Sequence, residues 1–331
     1  MMSAQARRSG VRLRAAWSMD AGLETRLFDE AQRGRIHRHL EFEPESASGT
    51  QVLITGWGAQ SIGPAELDRM PGLQAILHSG GTVKGILSPE VWARGIRVTT
   101  ASAANALPVA EFALASILFA GKDVLAAASD YASDPGIDRD GERFASIGNY
   151  GRTIGIVGAS QIGRRVIELL RPFDMTVIVF DPYLDARDAA ALGVSSVTLD
   201  ELFLRSDIVS LHAPLLPSTR GMVTEDLLAS MPPGATLINT ARGGLVDQDA
   251  LVRCLGERRL NAVLDVTDPE PLPRDHPLRQ LPNVLLTPHL AGARGNELRR
   301  LGESVVLEVE AFAAGLAAIH PFGLADLERS A

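Results

Sequence analysis

The sequence predicts an α/β protein of two lobes, each a parallel sheet covered by helices. Three observations carry that reading. The chain has 331 residues, more than one ordinary hydrophobic core organises. Short apolar or β-branched runs alternate with helix-compatible stretches along most of its length, which is the pattern of successive βα units. Near the middle, a strand-like run passes through a glycine-containing turn straight into a helix-like one, the geometry of a doubly wound fold.

In the first part of the chain, residues 11–17, 52–55, 73–77 and 96–99 are rich in apolar or β-branched side chains and read as strands. Helix-compatible pieces lie between them at 22–33, 64–70 and 88–94. Residues 105–128 read as one long helix with Pro108 in its first turn, where proline is tolerated. Residues 129–150, rich in Asp, Gly and Ser, read as a connection between lobes. From Arg152 the rhythm strengthens. Strands are expected at 153–157, 176–180, 208–212, 236–239, 262–266 and 284–286, and helices at 162–170, 199–205, 224–230 and 247–255. Asp247 is the expected N-cap of the last of these. A closing helix is expected at 297–314.

Composition narrows the function classes. A hydrophobic share of 46% and a charged share of 22% are those of a globular protein. The net charge of -8 argues against nucleic acid as a partner, which calls for a basic face. One cysteine, Cys254, offers neither an internal disulfide nor a CxxC pair, and no metal site is expected. The arginines of residues 1–14 precede no apolar run of leader length. The most apolar segment, 106–120, contains Glu111 and falls short of the roughly 20 residues of a membrane span. It reads as a buried helix, so no membrane partner is expected and the cytoplasm is the expected location.

The sharpest local signal is Gly158-Ala159-Ser160-Gln161-Ile162-Gly163, following the apolar run 153–157. The first glycine permits the sharp turn, and the third brings helix and strand close. The helix start then turns its free N–H groups and positive dipole end toward a pyrophosphate. Ser160 stands at the middle position, normally glycine, and its hydroxyl can donate to a phosphate oxygen. Asp181 ends the next strand, about twenty residues on, where a carboxylate accepts from ribose hydroxyls. The same carboxylate repels a 2′-phosphate, which favours NAD over NADP. Taken separately, the glycines also fit an ordinary βα turn, and Asp181 a turn before Pro182.

Three later pieces carry chemistry: Arg242 in Asn239-Thr-Ala-Arg-Gly-Gly, Glu270 in Asp265-Val-Thr-Asp-Pro-Glu-Pro-Leu, and His289 in Leu286-Thr-Pro-His. Each follows the C-terminal end of an expected strand, the edge that faces ligand in an open α/β sheet. Interconverting a hydroxyl and a carbonyl needs an acid/base working near neutrality, which imidazole provides. A carboxylate bonded to the ring's other nitrogen orients it, and a guanidinium clamps a substrate carboxylate and polarises the adjacent carbonyl. Read singly, Arg242 is also a surface charge beside a helix, Glu270 a solvated loop acid, and His289 a structural histidine after Pro288.

In this order, the glycine turn, Asp181, Asn239-Thr-Ala-Arg242-Gly, Asp265…Glu270-Pro-Leu and Asn283-Val-Leu-Leu-Thr-Pro-His289 resemble the D-2-hydroxyacid dehydrogenase family, over about residues 52–315. The resemblance implies a Rossmann-type NAD-binding domain, residues 105–292, inserted into a flavodoxin-like substrate domain made of 1–104 and 293–331. By the same likeness Arg242 and His289 bind substrate, Glu270 pairs with His289, and His289 is the acid/base. Ser79, Gly80 and Gly81, in His78-Ser-Gly-Gly-Thr82, resemble the loop whose amides meet the substrate carboxylate; they also fit a plain strand-to-helix turn. His212, Pro214, Thr219, Thr240 and Ala241 fall on the implied cofactor pocket, and Asp265 near the nicotinamide carboxamide. The helix from Asn105 to Ala120 resembles the family's dimerisation element, which implies a homodimer. The implied ligands are NAD(H) and a small 2-hydroxy or 2-keto acid.

The sequence departs from the family in the substrate loop, where Thr82-Val83-Lys84 replaces the commoner glycine and aspartate. Two other readings remain. Formate dehydrogenase relatives are similar but carry glutamine where this chain has Thr287. A NAD-sensing protein resembling the transcriptional corepressors of the superfamily retains much of the same trio, although the chain has no evident peptide-docking extension.

Overall fold

A computed structural model describes residues 12–44, 48–134, 136–137 and 141–329. Val11, the first residue of the first expected strand, and most of the arginine-bearing segment lie outside these residues, as do parts of 129–150. In chain order the elements are β1 (Leu13–Ser18), α1 (Leu23–Leu27), α2 (Glu30–His39), β2 (Leu40–Phe42), β3 (Val52–Thr55), α3 (Pro64–Arg69), β4 (Ala75–His78), α4 (Glu90–Ala93), β5 (Arg97–Thr100) and α5 (Ser102–Gly121). There follow α6 (Val124–Ser133), β6 (Thr153–Val157), α7 (Gln161–Leu170), β7 (Thr176–Phe180), α8 (Ala186–Leu192), β8 (Ser195–Ser196), α9 (Leu199–Arg205) and β9 (Ile208–Leu211). The chain ends with α10 (Glu225–Ser230), β10 (Thr236–Asn239), α11 (Gln248–Gly256), β11 (Asn261–Leu264), β12 (Val284–Leu286), α12 (Leu298–Ala313) and α13 (Leu324–Arg329).

The chain divides into two compact units, one up to Ala106 and again from Ala293, the other Leu107–Gly292. The first unit has a five-stranded parallel sheet in the order β2-β1-β3-β4-β5, the flavodoxin-like order. Successive strand residues point to opposite faces. Ala15, Ile54 and Leu77 therefore pack against α1, α2 and α12, while Ala16, Leu53 and Ile76 meet Leu67, Val91 and Phe322 on the other face. Burying each of the larger side chains contributes about 1.5–3 kcal/mol. Arg35 of α2 forks between Glu303 (2.6 Å) and Glu310 (2.7 Å) of α12, and hydrogen bonds to these carboxylates raise its guanidinium further above its already high value.

The second unit has a seven-stranded parallel sheet in the order β12-β11-β10-β9-β6-β7-β8. The chain winds outward from β6 through β7 to β8, then returns to place β9 on the other side of β6. That reversal opens a crevice at the C-terminal ends of β6 and β9, the place where such sheets take their ligands. One core holds Val157, Val209, Leu211 and Leu237 against α9, α10 and α11; the opposite one holds Ile154, Ile156, Val179 and Ile238 against α5 and α7. Thr198, Thr224 and Asp247 each cap the helix that follows, and the Asp247 carboxylate accepts from the Ala250 amide at 2.9 Å as its position predicts.

The expected helix over 105–128 is two helices. It starts earlier, at Ser102, so Pro108 lies inside α5 and not in its first turn. It breaks at Asp123, whose φ of 48° is left-handed. At 20 residues α5 is long and apolar enough to cross a membrane by length and composition, contrary to the expected shorter segment. Its Ala110, Ala113 and Ile117 nevertheless lie in the core of the second unit. The described residues of 129–150, expected to connect two lobes, fall within that same unit.

Candidate active site

The glycine turn shows why each of its residues is there. Gly158 has φ +98°, and a Cβ on it would come within 2.8 Å of the Ala213 amide nitrogen; one on Gly163 would lie 2.0 Å from the Gly158 carbonyl oxygen. Neither position takes a side chain. Ser160 differs, with an ordinary extended backbone (φ -64°, ψ 178°) and a hydroxyl that accepts from the Gly163 amide at 3.3 Å. The departure from glycine is thus an N-cap for α7. Gln161 and Ile162 make the first turn of this ten-residue helix, whose start faces the crevice end of β6.

Asp181, just past β7, is fixed over this turn. One carboxylate oxygen accepts from the Ala159 amide (2.7 Å) and the other from the Tyr183 amide (2.8 Å). Each oxygen retains acceptor capacity for a further donor.

Past β9, His212 is buried, with Nε2 3.0 Å from the Ser210 hydroxyl, and burial pushes its imidazole down to about 4. Its Nδ1 is buried without a partner, as is the Thr240 hydroxyl past β10. Buried polar atoms are seldom left unpaired, so two orphans on one sheet edge fit a polar ligand that completes them. Ala241, also buried, donates its amide to the Asn239 carboxamide oxygen at 3.0 Å. Thr219 closes its own loop. Its hydroxyl donates to the Pro214 carbonyl (2.6 Å) and accepts from the Leu216 amide (2.8 Å), closing the loop after Pro214.

Arg242 follows a turn built by Asn239, whose side-chain NH2 donates to the Arg242 carbonyl at 2.9 Å. The guanidinium donates to the Ala241 carbonyl at 2.7 Å. Burial lowers it from its ordinary value, and the charge of Glu270 opposes that effect. Glu270 in turn reaches His289, with Oε1 2.6 Å from Nδ1. The three side chains expected from sequence therefore lie along one edge, His289 bonded to Glu270 and Arg242 within reach of the Glu270 charge.

His289 has a left-handed backbone, φ 52°, which costs free energy for a residue other than glycine. Asp265 holds it there. The Asp265 carbonyl accepts from the His289 amide at 2.9 Å. Its carboxylate accepts from the Thr287 hydroxyl (2.6 Å), the Leu290 amide (2.8 Å) and the Ala291 amide (2.9 Å), and the residue is 1% exposed. Sequence reasoning gave Asn239 and Thr287 no role of their own. Their only signal was a small polar residue shortly before a functional one.

The remaining expected residues, Ser79, Gly80 and Gly81, follow β4 in the other unit. Ser79 is buried, and its hydroxyl donates to the Thr55 carbonyl at 2.9 Å. Among the described residues no cluster of three His, Cys, Asp or Glu is placed to hold a metal.

The strand reversal and the glycine turn define the second unit as a Rossmann-type nucleotide-binding domain. The family model for the NAD-binding domain of D-isomer specific 2-hydroxyacid dehydrogenases matches residues 114–291, and the chain belongs to that family. It is 34% identical over 266 residues to a D-3-phosphoglycerate dehydrogenase of Methanocaldococcus jannaschii, covering 80% of this chain and 50% of that protein. It is 37% identical over 306 residues to a glyoxylate reductase of Korarchaeum cryptofilum, covering 88% of this chain and 92% of that one. The chain thus spans about half the length of the phosphoglycerate dehydrogenases it matches. Among solved structures, the TT0316 protein of Thermus thermophilus superposes with a TM-score of 0.76 at 31% identity, over 94% of this chain and 100% of that one.

Proposed function

We propose that the chain is an NAD(H)-dependent oxidoreductase interconverting a small D-2-hydroxy acid and its 2-keto acid. The observation that carries this reading is the 2.6 Å contact between His289 Nδ1 and Glu270, beside the cation of Arg242. With Nδ1 committed to the carboxylate, Nε2 is the nitrogen that takes the hydroxyl proton in oxidation and returns it in reduction. Glu270 keeps the ring oriented and offsets its charge when it holds two protons. Arg242 stays cationic at neutral pH and suits a bidentate grip on the substrate carboxylate, or polarisation of the reacting carbonyl.

The residues present fit NAD: a turn that admits no side chain at Gly158 or Gly163, the start of α7, Asp181, and the orphaned His212 and Thr240 atoms. When bound, the cofactor accepts or supplies the hydride. Asp181 accepts from ribose hydroxyls and repels a 2′-phosphate. The Ser79–Gly81 loop takes the substrate carboxylate through its amides.

The test is NADH oxidation in the presence of glyoxylate, hydroxypyruvate, pyruvate and longer 2-keto acids, repeated with NADPH. Turnover with at least one acid, at a higher kcat/KM with NADH, is expected. NADH binding without turnover of any acid would overturn the reading in favour of a nucleotide-sensing protein. A preference for NADPH would remove the role given to Asp181.

We further propose that the chain is a homodimer joined through the α5–α6 face. Phe119 (53% exposed), Leu125 (43%) and Tyr131 (62%) are all on these helices, and a groove of about 300 Å³ there is lined by Phe112, Phe119, Leu125 and, on edge strand β12, Val284. An apolar surface of this kind marks an interaction site. Sedimentation is expected to give a dimer and the Phe119→Glu variant a monomer; a monomeric wild type rules the dimer out.

A further inference from the structure

The glycine-rich loop after β4 wraps around a buried histidine that the reaction itself does not use. His78 is the last residue of β4, in register with Thr55 on β3 and Thr100 on β5, and is 2% exposed. Its Nδ1 lies 2.8 Å from the Thr55 hydroxyl. Its ring also bonds the backbone of Thr82, at the far end of the loop. Between these two contacts the chain is tied down on both sides. The Ser79 amide (2.8 Å) and hydroxyl (2.9 Å) both donate to the Thr55 carbonyl, and the Gly80 carbonyl accepts from the Ala101 amide at 3.0 Å.

The ring also explains the glycine at position 80. A Cβ on Gly80 would lie 2.6 Å from His78 Nε2, and Gly80 is not among the residues with positive φ. Glycine is required there by the closeness of the imidazole and not by backbone conformation. Replacing either partner therefore changes the path of the loop.

We propose that His78 is a positioning residue: wedged between Thr55 and the loop Ser79–Thr82, its imidazole sets the direction of the Gly80 and Gly81 amides and thereby the affinity for the 2-keto acid. This rests on the reading that those amides receive the substrate carboxylate. Burial pushes the imidazole down to about 4, the Thr82 bond opposing it. The ring is therefore neutral around pH 7, with one N–H to give and one nitrogen to accept. The Thr82 contact favours the protonated ring, so a ring N–H makes it, toward the carbonyl. The Thr55 hydroxyl, able to donate or accept, meets Nδ1 at 2.8 Å in either tautomer. At 2% exposure the ring has no access to substrate and is not a catalytic residue.

The test is steady-state kinetics with the preferred 2-keto acid, together with NADH binding by fluorescence. His78→Ala is expected to raise KM roughly tenfold with kcat and NADH affinity little changed, the signature of lost ground-state binding. His78→Asn, which keeps a donor and an acceptor near the same place, should recover part of the loss. Thr55→Val removes the hydroxyl at nearly constant volume and should shift KM in the same direction by about threefold. It decides the question if His78→Ala does not fold. Gly80→Ala should also raise KM, and combining it with His78→Ala should undo part of that rise, because the clash with Nε2 is gone. A purely structural histidine would lower thermal stability without separating KM from kcat. Folded variants with wild-type KM, or a loss confined to kcat, overturn the proposal. A wild type inactive on every acid removes the parent reading and this one with it, whereas an active wild type with insensitive variants removes this one alone.

Discussion

Replacing His289 with alanine is expected to lower kcat by about 10²–10⁴-fold, the range supplied by a positioned acid/base, while the dissociation constant for NADH hardly moves. The separation follows from where the residue sits. His289 bonds Glu270, and its turn is secured by Asp265, whereas the groups fitted to NAD lie on the turns after β6, β7, β9 and β10. The loss should fall on the chemical step, so kcat and kcat/KM should decline together. Single-turnover reduction of a 2-keto acid by bound NADH measures it directly. A variant that turns over at the wild-type rate would take the proton-transfer role away from this residue.

Acid should destabilise both units before most carboxylates titrate. His78 in the first unit and His212 in the second are each held at about 4 against an ordinary 6.5, with burial the dominant cause and no charged neighbour contributing. The sign follows from linkage. Below 6.5 the unfolded chain binds a proton that the folded ring refuses, so stability rises with pH between 4 and 6.5. The contribution is complete above 6.5 and drains away as pH falls toward 4. At 1.36 kcal/mol per pKa unit, lowering the pH from 7 to 5 removes roughly 2 kcal/mol per ring. For units of this size that lowers the melting temperature by about 4–8 °C. Calorimetry at the two pH values checks it, with His212→Gln expected to flatten the dependence of the second unit alone. A melting temperature that stays level from pH 7 to pH 5 would show that these rings are not held neutral by burial.

Legibility of the fold from sequence followed burial. The strands at 153–157, 176–180, 236–239 and 284–286 were readable to the residue, because runs such as Thr-Ile-Gly-Ile-Val admit no competing periodicity. The short edge strands β2 and β8 were not. Leu40-Glu41-Phe42 is one alternation long, and Ser195-Ser196 has no apolar face at all. Helix α8, Ala-Arg-Asp-Ala-Ala-Ala-Leu, was missed because it buries only Ala189 and shows no apolar stripe. The break between α5 and α6 escaped notice because alanine-rich composition runs on across it, and a left-handed Asp123 leaves no pattern in the letters.

The site was legible where chemistry dictates residue type and opaque where tertiary bonding dictates role. An arginine, a glutamate and a histidine at strand ends announce themselves. That the Asp265 carboxylate faces the turn 22 to 26 residues further on does not. Nor does the inward use of Thr219, whose hydroxyl serves its own loop. Ser160 carries a second role that its letter does not announce: its hydroxyl accepts from the amide of Gly163, which leaves the O–H free to donate.

Asp265 draws four donors from a five-residue stretch around an imidazole whose backbone sits in an unfavourable conformation. The aim of that imidazole is therefore settled during folding, and no turnover has to repeat the ordering. In the reaction proposed above, such preorganisation would spare the entropy of assembling the proton relay. It also makes the arrangement brittle: one buried carboxylate is the hub through which conformational disorder anywhere in residues 287–291 would reach the reacting proton.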